Sequence, residues 1–323
     1  MSHLSELLPF LKHDRPDVRE AATEHIAGLA ADPSSRALLR ASPELVKTLA
    51  RITGDLPGPK LAALRALVLL TSDAEHSGSA ASDAAFFVSE ALEARIEERC
   101  WNELDGEPAT VDLALGVLAN VSRVERGAAA LLVPPRRGRR SGLADAVRRF
   151  LDASAGPEWD NVALLLNNVS MLPAGRRFID VAWFVEELGR DEGASPARRR
   201  GVAGALRNVA QASDTEAAVL CSADLVPAIT ARLPKEKDPD ILVEYLVALK
   251  SIAASGPEGL AACLDQQRQL DGFVELMTLP FALREAIVAL RGVLRGESDA
   301  TEVDAEIDEL LREDAMMSPD AMD

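Results

Sequence analysis

Val117-Leu118-Ala119-Asn120-Val121-Ser122 recurs as Leu165-Leu166-Asn167-Asn168-Val169-Ser170 and again as Ala205-Leu206-Arg207-Asn208-Val209-Ala210. Each copy is an apolar stretch with an Asn near its end. The same register extends upstream through Ile26-Ala27-Gly28-Leu29 and Leu67-Val68-Leu69-Leu70. Downstream it continues through Leu249-Lys250-Ser251-Ile252 and Leu290-Arg291-Gly292-Val293. The marker positions are therefore 28, 69, 120, 168, 208, 251 and 292, separated by 41, 51, 48, 40, 43 and 41 residues. A period near 40–47 residues is the signature of stacked helical repeats. The two long intervals hold the polar stretch Ser72 to Asp83 and the insert Pro134 to Gly142.

A second phrase lies between the markers. A small or Gly-containing turn leads into a short apolar helix start and then a longer amphipathic segment. Arg36-Ala37-Leu38-Leu39 precedes Leu45 to Ile52, and Arg176-Arg177-Phe178-Ile179 precedes Phe184 to Leu188. Ala218-Val219-Leu220-Cys221 precedes Leu225 to Leu233, and Leu260-Ala261-Ala262-Cys263 precedes Phe273 to Leu279. Two phrases in fixed order predict an all-α, armadillo/HEAT-like right-handed α-solenoid of about seven repeats. It spans residues 1–296, followed by an acidic C-terminal tail over 297–323. Aromatics are only 4% of the chain, which suits close helix packing and argues against a sheet-rich fold. In such an array each repeat contacts mainly its neighbours, so the length needs one elongated domain and not two globular ones.

Local signals place the helices. Leu4 to Leu11 reads as the capping helix, and Pro16 stands at the start of the next, where its missing N–H costs little. Asp17 to Ala30 sets Val18, Ala22, Ile26 and Leu29 on one face. Asp240 to Ala253 repeats the design with Ile241, Leu242, Tyr245, Leu249 and Ile252, after the start signal Asp238-Pro239-Asp240. Ala194-Ser195-Pro196-Ala197 marks another start. Ser72 to Asp83 and Pro134 to Gly142 read as loops, the second carrying four Arg. In the tail, Val303, Ile307, Leu310 and Leu311 outline a short amphipathic helix, with disorder expected after Asp314.

The net charge is −17. Glu297 to Asp323 holds 11 acidic residues and one basic, whereas Arg136 to Arg207 holds 13 Arg against 9 acids. The overall sign disfavours nonspecific nucleic-acid binding, which depends on many Lys and Arg. Three cysteines, Cys100, Cys221 and Cys263, are odd in number and widely spaced, as expected in a reducing compartment. No apolar run reaches a membrane-spanning length, and Met1 to Phe10 lacks the pattern of a signal peptide. The chain is expected in the cytoplasm or nucleus, without a membrane partner, as a monomer.

No catalytic constellation stands out. There is no glycine-rich phosphate loop, no Gly-x-Ser-x-Gly and no His-Glu-x-x-His. The histidines His3, His13, His25 and His76 lie away from any Cys at zinc-ligand spacing. Glu90, Glu93, Glu97, Glu98 and Glu103 read as one solvated acidic helix face, and Cys100 as a packing residue. No metal, cofactor or enzymatic activity is expected.

The asparagines admit two readings. An amide offers donor and acceptor together. Several in register on a concave surface can therefore pair the backbone of an extended peptide. On that reading the groove comprises Asn120, Asn167, Asn168 and Asn208, rimmed by Arg123, Arg199, Arg200 and Arg207. Alternatively each Asn ends its own helix and bonds locally. The positions four residues before the Asn hold Gly116, Leu164 and Gly204, where nuclear-import adaptors carry Trp. A basic groove would also repel basic cargo.

Taken whole, the chain resembles the HGH (Brp16) family of eukaryotic armadillo-like proteins. The resemblance rests on Leu7 to Leu11, Leu165 to Ser170, the stretch Arg199-Arg200-Gly201-Val202-Ala203-Gly204-Ala205-Leu206-Arg207-Asn208, and Asp238 to Glu244. The Arg-Arg-Gly stretch is the most specific. The family commonly has two cysteines and an aromatic after Arg-Asn, where this chain has Val209, Ala210 and Gln211. A longer family loop is cut here to Pro234 to Lys237. The resemblance implies a folding adaptor that binds newly made eukaryotic translation elongation factor two and helps recruit the TRiC chaperonin. The alternative is a general armadillo scaffold or transport adaptor with another client.

Overall fold

The computed structural model describes residues 2–72, 79–133, 142–152, 156–190, 194–212, 224–270 and 281–296. Outside them lie most of the insert after Val133, Cys221, the segment Phe273 to Leu279 and the acidic tail. The described residues form helices and turns, without strands.

The first compact unit ends at Phe178. It contains α1 (Ser2–Leu11), α2 (Pro16–Ala31), α3 (Pro33–Arg40), α4 (Pro43–Ile52), α5 (Pro57–Thr71) and α6 (Ser79–Glu93). These are followed by α7 (Ile96–Trp101), α8 (Pro108–Val121), α9 (Glu125–Leu132), α10 (Leu143–Phe150), α11 (Asn161–Ser170) and α12 (Pro173–Arg176). The second unit begins at Ile179. It contains α13 (Val181–Gly189), α14 (Pro196–Ala210), α15 (Leu225–Arg232), α16 (Pro239–Ala254), α17 (Pro257–Asp265) and α18 (Phe281–Arg295).

The rhythm is the one the markers predict. Positions 28, 69, 120, 168, 208, 251 and 292 fall in the closing residues of α2, α5, α8, α11, α14, α16 and α18. These are the third helices of successive repeats, and the shorter helices fall between them. In the first unit α2, α5, α8 and α11 pack consecutively as one layer, and in the second α16 packs against both α14 and α18. This is the armadillo/HEAT-like architecture.

Proline sets many of the starts. It opens α2, α3, α4, α5, α8, α12, α14, α16 and α17, where its fixed φ is already helical and no intrahelical donor is lost. Side-chain caps add to this: Asp32, Ser42 and Ser195 each accept from the backbone N–H three residues on. The expected apolar face of α16 is entirely buried. On α2 the buried residues are Ala22, Thr23, Ile26 and Ala30, with Val18 and Leu29 only half-buried.

Two sequence expectations require correction. Ser79 to Asp83, read as the end of a loop, belongs to α6, whose Ser-Ala-Ala-Ser-Asp-Ala-Ala opening is short-chained and Ala-rich enough to continue as helix. The acidic run Glu90 to Glu103 is not one helix face. Arg95 adopts the left-handed conformation at φ +60°, ending one helix and beginning another. Its members then part: Glu98 pairs with Arg95, and Glu103 accepts from Lys60 of α5 at 2.9 Å.

Cys100 is fully buried, and desolvation pushes its thiol pKa far up, with Glu103 and Glu97 reinforcing the shift. Cys263 is also buried, and its thiol donates to the Leu249 carbonyl at 3.7 Å. A thiol that cannot ionise is a poor nucleophile. In a Cys221→Ser background, Ellman's reagent should label neither cysteine in the native protein and both after unfolding. Rapid native labelling of Cys100 would show that its site opens.

Candidate functional site

The closing turn of each long helix exposes carbonyls that the helix cannot itself fully satisfy. In the first unit these carbonyls organise the contact between repeats. Asn120 on α8 donates its amide N–H to the Val68 carbonyl at 3.0 Å and to Thr71 Oγ1 at 3.3 Å, both at the end of α5. Asn168 on α11 repeats this one step along, donating to the Ala119 carbonyl and to Ser122 Oγ, each at 2.9 Å. Each acceptor pair is the residue before the preceding marker and the hydroxyl two residues after it. The hydroxyls themselves fold back: Ser122 Oγ donates to the Ala119 carbonyl and Thr71 Oγ1 to the Leu67 carbonyl.

The amide N–H groups of Asn120 and Asn168 therefore bind the preceding repeat. Neither sequence-level reading describes this arrangement, which is neither a free peptide-pairing amide nor a bond to the residue's own helix. Asn168 is buried and Asn120 half-buried. The adjacent carbonyl, one residue after the marker, meets a glycine of the next short helix. A Cβ on Gly127 would lie 1.9 Å from the Val121 carbonyl oxygen, and one on Gly175 the same distance from that of Val169. No larger residue fits these turns without displacing backbone.

Asn167 and Arg123 lie beside this seam, both half-buried. The Asn167 carbonyl accepts from Ser170 Oγ at 2.7 Å, and the Arg123 backbone N–H donates to the Asn120 carbonyl at 3.2 Å.

The opposite ends of the long helices are joined by ion pairs. Arg19 grips Asp55 through two bonds at 2.5 and 2.7 Å, and Lys60 reaches Glu103. In the second unit Arg199 donates to Glu236 at 3.0 Å and to the Ala194 carbonyl at 2.7 Å. The cation stands three residues after the opening proline of its helix in all three cases. Its acid lies just before the next long helix, 36 to 43 residues on.

The remaining arginines expected to rim a groove are likewise paired. Arg200 reaches Asp238 at 3.0 Å, and Arg207 reaches Glu244 at 2.8 Å. Arg207 also donates twice to Asn208 Oδ1, at 3.2 and 3.0 Å. Burial holds the Glu244 carboxyl above the usual range, against the pull of Arg207. Deeper still, Arg198 and Glu187 form a buried two-bond pair at 2.7 Å each, and Arg190 joins the same carboxylate at 2.9 Å. Arg199, Arg200 and Arg207 thus face three carboxylates of their own unit, and the rim is locally compensated. The partner acids were not marked out by local sequence, since they lie about a repeat away. The signal that could have found them is the Pro-x-x-cation spacing.

Among the described residues no group of three or more His, Cys, Asp or Glu is placed to hold a metal, and no helix is long and apolar enough to cross a membrane.

No protein-family model matches the chain. It is 34% identical over 218 residues to the mouse Protein HGH1 homolog, a match covering 63% of this chain and 52% of that protein. The chain thus spans about half the length of this curated relative. Among solved structures, an engineered protein superposes with a TM-score of 0.64 at 18% identity, covering 79% of this chain and 98% of the other. A designed armadillo repeat protein superposes with a TM-score of 0.61 at 15% identity, covering 76% and 98%. The chain is thus similar to an HGH1 protein over part of its length, and the structural neighbours fit an armadillo-like fold.

Two substitutions probe these seams. Asn168→Ala should cost about 1–3 kcal/mol in urea unfolding, because two buried bonds between repeats are lost. Asn168→Asp should cost more, since a carboxylate would face the Ala119 carbonyl without a donor. A change within error for both would remove Asn168 from the seam. Glu187→Gln should destabilise by about 3–5 kcal/mol by leaving the buried Arg198 uncompensated. Hydrogen exchange should localise the loss to α13 and α14.

Proposed function

From this kinship with the HGH1 proteins, we propose that the chain is a non-enzymatic, protein-binding adaptor. It binds newly made eukaryotic translation elongation factor two and assists its chaperonin-dependent folding. The observation that carries this reading is the 218-residue match to the mouse HGH1 homolog, within a chain of armadillo-like fold. The physical case concerns surface. Stacked repeats expose a long helix face that can hold a partially folded client over many weak contacts, without a single deep pocket.

We place the protein in the cytoplasm as a monomer, with elongation factor two and the TRiC chaperonin as partners and neither nucleic acid nor membrane required. A scaffold with another client is the second reading. It is favoured by the match's covering only 52% of the relative's length.

Affinity capture from a eukaryotic translation lysate distinguishes them. The tagged protein should recover elongation factor two together with TRiC subunits, most strongly while the factor is being synthesised. A designed armadillo protein of equal length should not. Loss of both partners from the wild-type capture would overturn the proposal, and recovery of a different dominant client would favour the scaffold reading.

A further inference from the structure

Guanidinium groups converge inside the second unit, where α13, α14, α15 and α16 meet. Arg190, Arg198, Arg199 and Arg232 stand there against Glu186, Glu187 and Glu236. Among the described residues the cluster therefore carries one positive charge in excess. Much of it is deeply buried. The Arg198 and Arg232 side chains are 6% and 7% exposed, and those of Glu187 and Glu236 2% and 1%. Glu186, by contrast, lies on the outer edge beside Arg190 and is exposed.

The acceptors of this cluster are already engaged. Glu187 Oε1 accepts from Arg198 and pairs with Arg190, and its Oε2 accepts from Arg198. Glu236 Oε1 accepts from the backbone N–H groups of Lys237 and Asp238, and its Oε2 from Arg199. Donors are left over. A guanidinium carries five N–H groups, yet Arg232 makes one hydrogen bond, from Nη1 to the Arg190 carbonyl at 3.1 Å. Its ion-pair partner Glu236 stands 3.8 Å from Nη2. Tyr245 is buried, and its hydroxyl has no hydrogen-bond partner among the described residues. Burial pushes the pKa of that hydroxyl well up, so it keeps its proton and remains a donor. Buried donors without acceptors are costly.

These donors share one space. Arg198, Arg199, Arg232, Glu187 and Tyr245 line a cavity of about 10 Å³, room for a single water-sized species. Arg199, whose side chain is 23% exposed, forms its outer wall and gives an ion a way in from solvent. A water would bring two hydrogens of its own to carboxylates already engaged. A halide only accepts, supplies the missing negative charge and is little larger than water. We propose that this cavity is a chloride-binding site. The Arg232 guanidinium and the Tyr245 hydroxyl hold the anion, and Arg198 and Arg199 complete its positive surroundings. Phosphate and carboxylates are too large for the space. The ion joins α14, α15 and α16 at one point, whichever client the protein carries.

Thermal unfolding of the full-length protein in sodium chloride, against sodium gluconate at equal ionic strength, tests the site. Gluconate cannot enter the cavity, and matched ionic strength equalises screening. With chloride about tenfold above its dissociation constant, the midpoint should stand about 2–4 °C higher than in gluconate. Sodium bromide should act alike. Tyr245→Phe keeps the ring, removes the donor and should lose most of this increment, as should Arg232→Lys. Arg268→Gln removes a cation from an exposed position of the same unit and should retain it. In wild-type crystals soaked in sodium bromide, the anomalous signal should fall within hydrogen-bond distance of Arg232 and Tyr245.

Equal wild-type midpoints in chloride and gluconate, an undiminished increment in Tyr245→Phe, or a cavity without bromide would overturn the proposal. The bromide map decides even where a variant fails to fold, because it needs only the wild type.

Discussion

The carbonyls at the end of each long helix are the constraint on which the repeat depends. A helix leaves its last acceptors without intrahelical donors, and stacking repeats buries those ends. In the first unit two devices meet the need. An Asn from the next repeat gives its amide to one carbonyl and to a nearby hydroxyl, and a Gly in the following short helix lets backbone approach another carbonyl within a distance no side chain permits. The first device joins repeat to repeat; the second turns the chain sharply into its next helix. Both act at one place, so the amide, the hydroxyl and the glycine recur together.

Ion pairs perform the corresponding task at the other helix ends. Arg19, Lys60 and Arg199 each reach an acid just ahead of the next long helix. These pairs are part-buried, and they fix the register of one long helix against the approach to the next. The buried Arg198–Glu187 pair differs, because neither partner can return to water alone. Together these contacts spend most of the arginine on the fold.

Much of the architecture was legible from periodicity. The seven marker positions fall in the closing residues of seven long helices, and proline before an apolar run marks the starts at Pro16, Pro196 and Pro239. These are local rules: a capping position or a buried face recurs at a fixed spacing whatever the chain does elsewhere. The errors came where local signals were ambiguous. Ser and Ala at 79–83 suit a loop as well as a helix, and no residue before Ile96 announces the left-handed turn at Arg95. The candidate site was less legible than the fold. The Asn positions stand out in the sequence, but their partners, Val68, Thr71, Ala119 and Ser122, stand 46 to 52 residues upstream.

By itself, the sequence determined the repeat period, the all-α class, the order of short and long helices and the residue types at each seam. Propensity, capping and burial patterns are properties of neighbouring residues and can be read in one dimension. Tertiary structure alone decided which way an amide points and which carboxylate an arginine meets. A hydrogen bond forms only with the acceptor that packing brings within about 3 Å. Asn168 could have faced a ligand; stacking put the Ala119 carbonyl there first.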